Sequence, residues 1–533
     1  MSSPSARLEL SSRSPALAWG GIVLAALLFA ASAASFLPLQ SLWVDETTQL
    51  SGIALDPVRL MPWLLGQGPD LGVPPDRMPP GAYLLGMAWA AATGLSEHSL
   101  RWMGLACALL GLLCTAAAAR RAYGAAAGTG AALFLALSPN VLIYAVEIRA
   151  YPVFLMLAGV ALYTVVRTLQ APPDERARWL AATTAVLIAA AYTHFFGLVL
   201  AMALGAGLLV DAVRRRQALR PLLTCALVFV IAFAGVVPFV LSALKISGGG
   251  AGDAPAPGGV DVLRFVKFVY RLYAHPALAT SLAMTAVASA GIALAAAVAL
   301  FARGAREPVR WAIVAATAAG LAIVGAAAFA VHGFDTLAST YNVWLLPVLA
   351  LLLSRALGGV GGVWARRIGA LGFALLLAGS AYATWQIHRH ADAYAHGPQN
   401  QLLALLAELG PARVDVVYDV GASDDTGHVS FPIRYRLGRA QPQYRFDDAS
   451  ARLTKLDSKD PVPEQPEREI ALVMRVQNTS AVELARRLRE PAPAANEPLP
   501  AAQALVQRGW QPVSRRSYLG LVSVQAEILQ RPR

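Results

Sequence analysis

Residues 16–46, ALAWGGIVLAALLFAASAASFLPLQSLWVDE, join a long apolar run to a pair of acids. A helix that spans a bilayer needs about 20 predominantly apolar residues, and the run 16–38 supplies them without a charge. Trp43 is of a type enriched at membrane interfaces, and Asp45 and Glu46 follow it directly. Acids at a membrane edge are costly and are functional-site candidates by default. The stretch predicts a first membrane span followed by two carboxylates at the membrane surface.

The composition extends the membrane character to most of the chain. Of the 533 residues, 56% are hydrophobic and 14% are charged, whereas soluble domains average about 45–50% and about 25%. The net charge of +12 does not imply nucleic acid, because Lys and Arg orient the loops of membrane proteins. No basic patch interleaved with aromatics argues for nucleic-acid binding. The composition therefore predicts a polytopic α-helical membrane protein in contact with membrane lipids.

Eleven apolar runs are predicted to span the membrane. They lie at roughly 16–38, 102–119, 124–140, 150–166, 179–193, 195–210, 221–243, 277–302, 311–331, 341–357 and 368–386. With the N-terminus inside, the inner loops carry about twice as many Lys and Arg as the outer loops, as the positive-inside rule requires. The shorter run Gly81–Leu95 follows Pro79-Pro80, and its length predicts a helix lying on the outer face. Ala31-Ser32-Ala33 resembles a signal cleavage site, but the long apolar run favours an uncleaved helix.

The hydropathy falls sharply after about residue 387. The sequence predicts a transmembrane domain at 1–387, with outer-face loops at 39–101 and 244–276, and a soluble domain at 388–533. Within the soluble domain, 414–418, 470–476 and 519–528 are predicted strands, and 401–409 and 481–488 are predicted helices. The fold class is therefore an α-helical membrane protein with a small C-terminal α/β domain.

Polar residues in the predicted outer loops are the candidate site residues. The carboxylate of Asp45 or Glu46 can act as a general base or share a cation, although a solvated loop pair is the plain alternative. Arg77 stands between proline pairs, either in a rigid turn or over a lipid phosphate, which arginine binds through charge-assisted hydrogen bonds.

Two further groups lie where predicted spans meet. Glu147, Arg149 and Tyr151 follow Ser138-Pro139, and the acid and base either pair with each other or line a cavity. His194, at the outer end of a span, either packs in the interior, binds a metal or donates to a phosphate.

Two more segments complete the outer face. The basic and aromatic residues of 264–273 predict an amphipathic helix on the membrane, and Tyr341 either contacts a phosphate or is an interface aromatic.

The order of several short motifs resembles one family. Ser-Leu-Trp-Val-Asp-Glu (41–46), Pro-Pro-Gly-Ala-Tyr-Leu-Leu (79–85) and Ser-Glu-His-Ser-Leu-Arg-Trp (96–102) are similar to the polytopic glycosyltransferases of the GT-C superfamily. Within it, the similarity is to the bacterial branch related to protein O-mannosyltransferases and to the aminoarabinose transferase of lipid A. The Ser-Pro segment with Arg149-Ala150-Tyr151, and the segment 192–197, fit the same branch. The resemblance covers roughly residues 16–345, and Thr340 stands where relatives often carry Arg.

The resemblance implies a function and a role for each candidate. The donor would be a sugar on a polyprenyl phosphate, moved by a hexosyl- or pentosyltransferase with inversion at the anomeric carbon. Asp45 would be the catalytic carboxylate, and Arg77, Arg149 and Tyr341 would hold the leaving phosphate. Glu46, Glu147 and His194 would shape the sugar site, with Glu46 and His194 as candidate ligands of a divalent cation; no other cofactor is implied.

Two other functions fit the same sequence. One is a transporter or flippase for a lipid-linked sugar, although inverted repeats and helices broken at mid-membrane, which mark many transporters, are not evident. The other is a non-catalytic assembly subunit of the same fold. The acceptor, a lipid, a glycan or a protein, is left open by the sequence. The Ala- and Arg-rich usage suggests a bacterium, which would place the chain in the inner membrane with its active site and C-terminal domain in the periplasm.

Overall fold

The computed structural model describes residues 15–73, 75–76, 78–249, 262–302, 307–330, 337–338, 340–358, 361–394, 396–420, 426–438, 441–447, 452–456, 465–490 and 497–532. These residues form two compact units. The helical unit comprises Met1–Leu37, Asp56–Gly68 and Arg77–Thr384. The mixed unit comprises Pro38–Leu55, Pro69–Asp76 and Trp385–Arg533.

The first part of the chain is helical throughout. Its helices are α1 (Pro15–Phe36), α2 (Val44–Ile53), α3 (Pro57–Leu64), α4 (Gly81–Thr93), α5 (Glu97–Tyr123), α6 (Ala125–Ala136), α7 (Pro139–Ala145), α8 (Tyr151–Gln170), α9 (Pro173–Thr193), α10 (Phe196–Arg214), α11 (Arg220–Phe233), α12 (Val237–Gly249), α13 (Val262–Tyr273), α14 (Leu282–Phe301), α15 (Glu307–Ala330), α16 (Leu345–Ser354) and α17 (Val363–Arg389). All but α2 and the end of α17 belong to the helical unit.

The helices long and apolar enough to cross a membrane confirm the predicted fold class. Among the described residues seven single helices qualify, or nine spans if two bent pairs count as one span each. The bent pairs are α6 with α7, at 64°, and α11 with α12, at 51°. The two other predicted spans, 179–193 and 341–357, coincide with α9 and with the short apolar helix at 345–357, so the predicted total of eleven remains a prediction. Residues 81–95 do form a helix, α4, of 13 residues.

Local sequence sets the helix boundaries. The hydroxyl of Ser96 accepts a hydrogen bond from the Ser99 amide (3.1 Å) and so caps the start of α5. The same helix ends at Gly124, whose φ of +102° is a backbone conformation that favours glycine. At the start of α3, the carboxylate of Asp56 accepts from the amides of Val58 and Arg59.

Glycines allow α5 and α8 to pack at close range. A Cβ added to Gly111 would lie 2.9 Å from the carbonyl oxygen of Leu155. A Cβ added to Gly159 would lie 2.9 Å from the Cα of Gly111 and closer to its carbonyl oxygen. Small residues are enriched where helices associate in membranes because backbones can then approach closely. The turn with Glu147 and Arg149 directly precedes α8, and Arg101 of α5 donates to the carbonyl oxygen of Val146 in it, so the close contact of α5 and α8 helps to position this turn.

The C-terminal part of the mixed unit alternates helices and strands. Its elements are α18 (Ala391–Tyr394), α19 (Gln399–Leu409), β1 (Val414–Asp419), α20 (Gly427–Leu437), β2 (Gln443–Asp447), β3 (Arg452–Lys455), β4 (Ile470–Asn478), α21 (Ala481–Arg489), α22 (Pro500–Gln507), β5 (Gln511–Tyr518) and β6 (Val522–Gln530). The five elements predicted at 401–409, 414–418, 470–476, 481–488 and 519–528 correspond to α19, β1, β4, α21 and β6.

The strands form one mixed sheet in the order β3-β2-β1-β4-β6-β5. β1 is parallel to both β2 and β4, and the other pairs are antiparallel. Alternate residues of β1 point to opposite faces: Val416 packs with the core that includes α19 and α20, and Val417 packs with the core that includes α22. The sheet therefore has a helical layer on each side.

Candidate active site

The predicted catalytic acid, Asp45, and its neighbour Glu46 lie in the mixed unit, on the first turn of α2. Glu46 is fully buried and Asp45 is half-buried. The carboxylate of Glu46 accepts a hydrogen bond from the backbone N–H of Trp43 (3.4 Å), an arrangement typical of a helix N-terminus. Of the two adjacent acids, Asp45 is therefore the more accessible to a substrate.

Residues of the C-terminal part support this turn. The ring of Trp43 is stacked on that of His396, with centroids 4.5 Å apart and planes at 6°, and is parallel to the ring of His428 at 6.4 Å. Asn400 donates to the hydroxyl of Ser41 and to the carbonyl oxygen of Gln40, both at 3.4 Å. The helix that carries Asp45 is thus an integral element of the mixed unit.

A second group of predicted residues comes together in the helical unit. His194 lies between α9 and α10, and its ring is 6.0 Å from that of Tyr151 and 5.8 Å from that of Tyr341. The guanidinium of Arg149 lies 5.9 Å from the centroid of the Tyr151 ring. Glu147, Arg149, Tyr151 and His194 are all buried. The structure thus groups four of the predicted residues (149, 151, 194 and 341) and buries Glu147 on the same turn as Arg149.

The imidazole of His194 is held in a defined orientation. Its Nδ1 accepts a hydrogen bond from the backbone N–H of Phe196 (3.1 Å), and its ring stacks on Phe154 with centroids 5.0 Å apart. Burial, together with the nearby charge of Arg149, lowers the pKa of His194 to about 3. The ring is therefore neutral at pH 7, and its proton lies on Nε2 because Nδ1 is an acceptor.

The Nε2–H group of His194 is consequently a buried donor. No described residue accepts a hydrogen bond from it, and an unsatisfied buried donor costs about 1–3 kcal/mol. A ligand oxygen placed beside this atom would remove that cost.

Residues outside the predicted set hold the turn that carries Glu147. The guanidinium of Arg101, buried in α5, donates to the carbonyl oxygen of Val146 (2.7 Å). Asn140, in α7, donates to the carbonyl oxygen of Arg271 in α13 (3.2 Å). Arg101 belongs to the Ser-Glu-His-Ser-Leu-Arg-Trp motif, and only this motif pointed to a part in the site. Phe154, which stacks on His194, is an apolar helix residue that nothing in the sequence distinguishes.

The remaining predictions have different outcomes. Arg77 lies outside the described residues. The predicted amphipathic helix is α13, in which Phe268 and Leu272 are buried. Glu46 and His194 were the predicted metal ligands, and among the described residues no group of three or more His, Cys, Asp or Glu side chains could hold a metal ion.

Comparisons with known proteins agree with the predicted superfamily. Residues 76–241 match the family model described as dolichyl-phosphate-mannose-protein mannosyltransferase, whereas no curated protein sequence matches significantly. The apo crystal structure of ArnT from Cupriavidus metallidurans shares the fold, with a TM-score of 0.53, 15% identity, and coverage of 96% of this chain and 98% of ArnT.

Two further solved structures are more distant. ArnT from the same organism bound to undecaprenyl phosphate has a TM-score of 0.49, 14% identity, and coverage of 95% of this chain and 97% of ArnT. The Archaeoglobus fulgidus oligosaccharyltransferase in complex with Zn and sulfate has a TM-score of 0.38, 13% identity, and coverage of 68% and 53%. The family match over 76–241 and the fold shared with ArnT confirm the resemblance of this chain to the polytopic GT-C glycosyltransferases.

Proposed function

We propose that the chain is a glycosyltransferase that moves a sugar from a polyprenyl-phosphate-linked donor to an acceptor at the outer face of the inner membrane. The observation that carries the proposal is the buried group of Glu147, Arg149, Tyr151 and His194, which lies within the segment that matches the mannosyltransferase family. Ionisable side chains are expensive between apolar spans and are retained there for function. The description of the family supports a donor linked to a polyprenyl phosphate.

The helical unit supplies the groups that suit the leaving phosphate. Arg149 offers a planar set of donors that matches phosphate oxygens in a bidentate arrangement, and it is buried, where such bonds are strong. The Nε2–H of His194 and the hydroxyl of Tyr341 are neutral donors beside it. Arg77 keeps its proposed part in the same task, and Tyr151 positions the guanidinium through its ring.

We assign Asp45 the role of general base. Its carboxylate takes the proton from the acceptor hydroxyl or amine as the acceptor atom bonds to the anomeric carbon from the opposite side to the phosphate. The bond from that carbon to the phosphate oxygen breaks, and the polyprenyl phosphate leaves with the electron pair. One base suffices, because phosphate needs little protonation to leave, and the configuration inverts.

The two buried acids have supporting roles in this proposal. Glu46 fixes the first turn of α2 through its bond to Trp43 and so orients its neighbour Asp45. Glu147 lies on the turn of Arg149 and contributes acceptors for the sugar hydroxyls.

The assignment of Asp45 is tested by sugar transfer in vitro. Purified full-length protein is given undecaprenyl phosphate carrying tritiated mannose or tritiated 4-amino-4-deoxyarabinose, with a membrane extract as the acceptor. We expect Asp45→Asn to reduce transfer by at least about 100-fold, since general-base catalysis contributes about 10²–10⁴-fold.

The matched control for this experiment is Asp56→Asn. Asp56 is another acid of the same predicted loop, and Asn caps a helix as well as Asp does, so transfer should be unchanged. Full activity of Asp45→Asn would remove Asp45 as the base. Movement of the labelled lipid across a vesicle membrane without transfer would instead favour a flippase.

The proposal also covers the orientation of the chain in the membrane and the role of its C-terminal part. The bias of Lys and Arg supports an N-terminus in the cytoplasm, with Asp45 and residues 388–533 in the periplasm. The proposal keeps the division between the transmembrane domain and the C-terminal domain at 387/388. The sheet and its helices offer a surface on which an acceptor could be selected.

A further inference from the structure

A groove distinct from the candidate site runs between α9, α10 and α11. One half is a cavity of about 390 Å³ whose lining includes Leu187, Met202, Gly205 and Phe233. A second cavity of about 400 Å³ adjoins it and shares Leu180, Leu208 and Leu222 with it. Volumes of this size are typical of small-molecule sites.

The two halves of the groove differ in chemistry. In the half that contains Gly205, the polar lining residues include Thr183 and Thr184, and their hydroxyls donate to the carbonyl oxygens of Trp179 and Leu180 within α9. These hydroxyls are satisfied inside the helix, so the wall that faces the cavity is effectively apolar. An apolar cavity between membrane helices suits a hydrocarbon chain.

The other half carries positive charge. Arg176 and Arg215 line it, and both bind the carboxylate of Asp211, at 3.1 Å and 2.8 Å. Asp211 is buried, whereas the two arginine side chains are 21% and 36% exposed. One carboxylate between two guanidinium groups leaves one net positive charge in this half of the groove. A phosphate there would complete the charge balance through charge-assisted hydrogen bonds.

A further polar side chain, that of Gln217, lines the same cavity. Its amide oxygen is buried and has no hydrogen-bond donor among the described residues. The hydroxyls of a glycerol headgroup would supply one.

The length of the groove selects the kind of lipid. Along α11 the lining runs from Pro221 to Phe233, about 18 Å at 1.5 Å per residue. One leaflet of the hydrocarbon core is about 15 Å thick, half of about 30 Å, so the groove matches one acyl chain. A polyprenyl chain is several times longer. α11 also has no buried residue of its own, which leaves the space beside it open to a lipid.

We propose that this groove is a binding site for an anionic phospholipid with a glycerol headgroup, the phosphate lying at Arg176 and Arg215 and one acyl chain between α9, α10 and α11. By the positive-inside rule the headgroup lies at the cytoplasmic face. The site does not depend on the proposed transferase reaction.

Binding is measured by native mass spectrometry of the purified full-length protein, titrated with phosphatidylglycerol or with phosphatidylcholine of the same acyl chains. We expect phosphatidylglycerol to bind about ten-fold more tightly or better, equivalent to about 1.4 kcal/mol. Arg176→Gln should reduce the affinity for phosphatidylglycerol by about ten-fold and leave phosphatidylcholine unchanged. Its matched control is Arg178→Gln, an exposed arginine two residues away on α9 that does not line the groove.

The apolar half is tested separately with Gly205→Phe. A Cβ at Gly205 meets no atom within 4 Å, so a side chain there enters the groove without a clash at the backbone. This variant should abolish binding of phosphatidylglycerol, whereas Gly20→Phe, at a glycine of α1 that is equally open, should not.

Three results would overturn the proposal. One is equal binding of the two phospholipids, which would indicate surrounding bilayer lipid only. Another is unchanged phosphatidylglycerol binding in both Gly205→Phe and Arg176→Gln. The third is displacement of phosphatidylglycerol by undecaprenyl phosphate at the same position, which would make the groove a carrier site. Sugar transfer is measured in a separate assay. Failure of the transferase assignment would therefore not affect the measured binding of phosphatidylglycerol.

Discussion

Replacing His194 with Asn should reduce kcat/KM for sugar transfer by about 10- to 150-fold. The Asn side-chain oxygen can take the place of Nδ1 and keep the hydrogen bond from the Phe196 amide. No group then stands where Nε2 stood, and the buried donor is lost. A hydrogen bond to a charged group contributes about 1.5–3 kcal/mol, and each 1.36 kcal/mol is a factor of ten in rate, which gives the stated range.

The conservative variant His194→Gln separates the donor from the ring. Gln can place an amide N–H near the position of Nε2, whereas it loses the stacking on Phe154 just as Asn does. We expect Gln to recover part of the activity that Asn loses. Kinetics with undecaprenyl-phosphate-linked sugar over a range of donor concentrations would measure both variants against the wild type.

The pH dependence gives a second test of the same reasoning. Burial and Arg149 lower the pKa of His194 to about 3, from an ordinary value of about 6.5. The imidazole stays neutral in the folded protein while it gains a proton in the unfolded chain below pH 6.5. Its contribution to folding stability is therefore fully present above pH 6.5 and declines as the pH falls toward 3. Activity should show no ionisation of His194 between pH 5 and 8.

The reasoning on His194 would be refuted by either of two results. One is wild-type kcat/KM in His194→Asn with the protein folded. The other is an ionisation near pH 6 in the wild-type rate profile that disappears in both variants, because it would show that the ring titrates in the folded protein.

Two predictions concern stability. Asp419→Ala should destabilise the mixed unit by about 3 kcal/mol, because the buried carboxylate accepts hydrogen bonds from Arg475 (2.5 Å) and from the Ala501 amide (2.9 Å). An unchanged midpoint of denaturant unfolding, followed by intrinsic fluorescence, would contradict this prediction. Gly159→Leu should lower the thermal midpoint of the purified protein by forcing α8 away from α5, at a cost of about 1–3 kcal/mol or more. Gly20→Leu, where a Cβ meets nothing within 4 Å, is its control, and equal midpoints for the two variants would count against the packing argument.

The helical framework was largely predictable because a bilayer imposes length and apolarity on every span. Among the described residues, seven single helices and two bent pairs are long and apolar enough to cross a membrane, and each coincides with a predicted span. The bend at Ser138-Pro139 has a local signal, since proline follows the end of α6 and begins α7. In contrast, the break between α11 and α12 was not predicted. Gly235 lies in it, but the chain contains many glycines, so this residue alone does not indicate a break.

The mixed unit was predictable where strands are buried on both faces. β1 (VDVVYD) is fully buried and β4 (IALVMRVQN) largely so; both are rich in Val and lie in the centre of the sheet, and both were predicted. β5 is an edge strand with exposed polar residues such as Arg515 and Arg516, which carry no alternating pattern. α20 contains Pro432, a residue that argues against a helix, and it was missed for that reason.

The candidate residues were predictable as types, whereas their grouping was not. The motifs placed Arg149 and Tyr151 in one segment and His194 and Tyr341 in two others, and only the family resemblance implied a shared site. Their contacts arise from the packing of α8, α9 and α10 with the turn before α16. The neutral state of His194 depends on burial and on Arg149, neither of which can be read from the residues next to it. The attachment of Asp45 to the C-terminal part depends on contacts between distant segments of the chain, such as Trp43 with His396.

That attachment has a consequence for how the protein matures. The helix with Asp45 is made early on the ribosome, and its packing partners His396 and Asn400 follow much later, with Asn400 359 residues beyond Ser41. The amide that holds Ser41 and the ring that covers Trp43 are therefore absent until synthesis has passed residue 400. A chain that stops short of these residues cannot hold the turn of Asp45 in this way, so we expect the proposed sugar transfer only from chains that extend beyond residue 400.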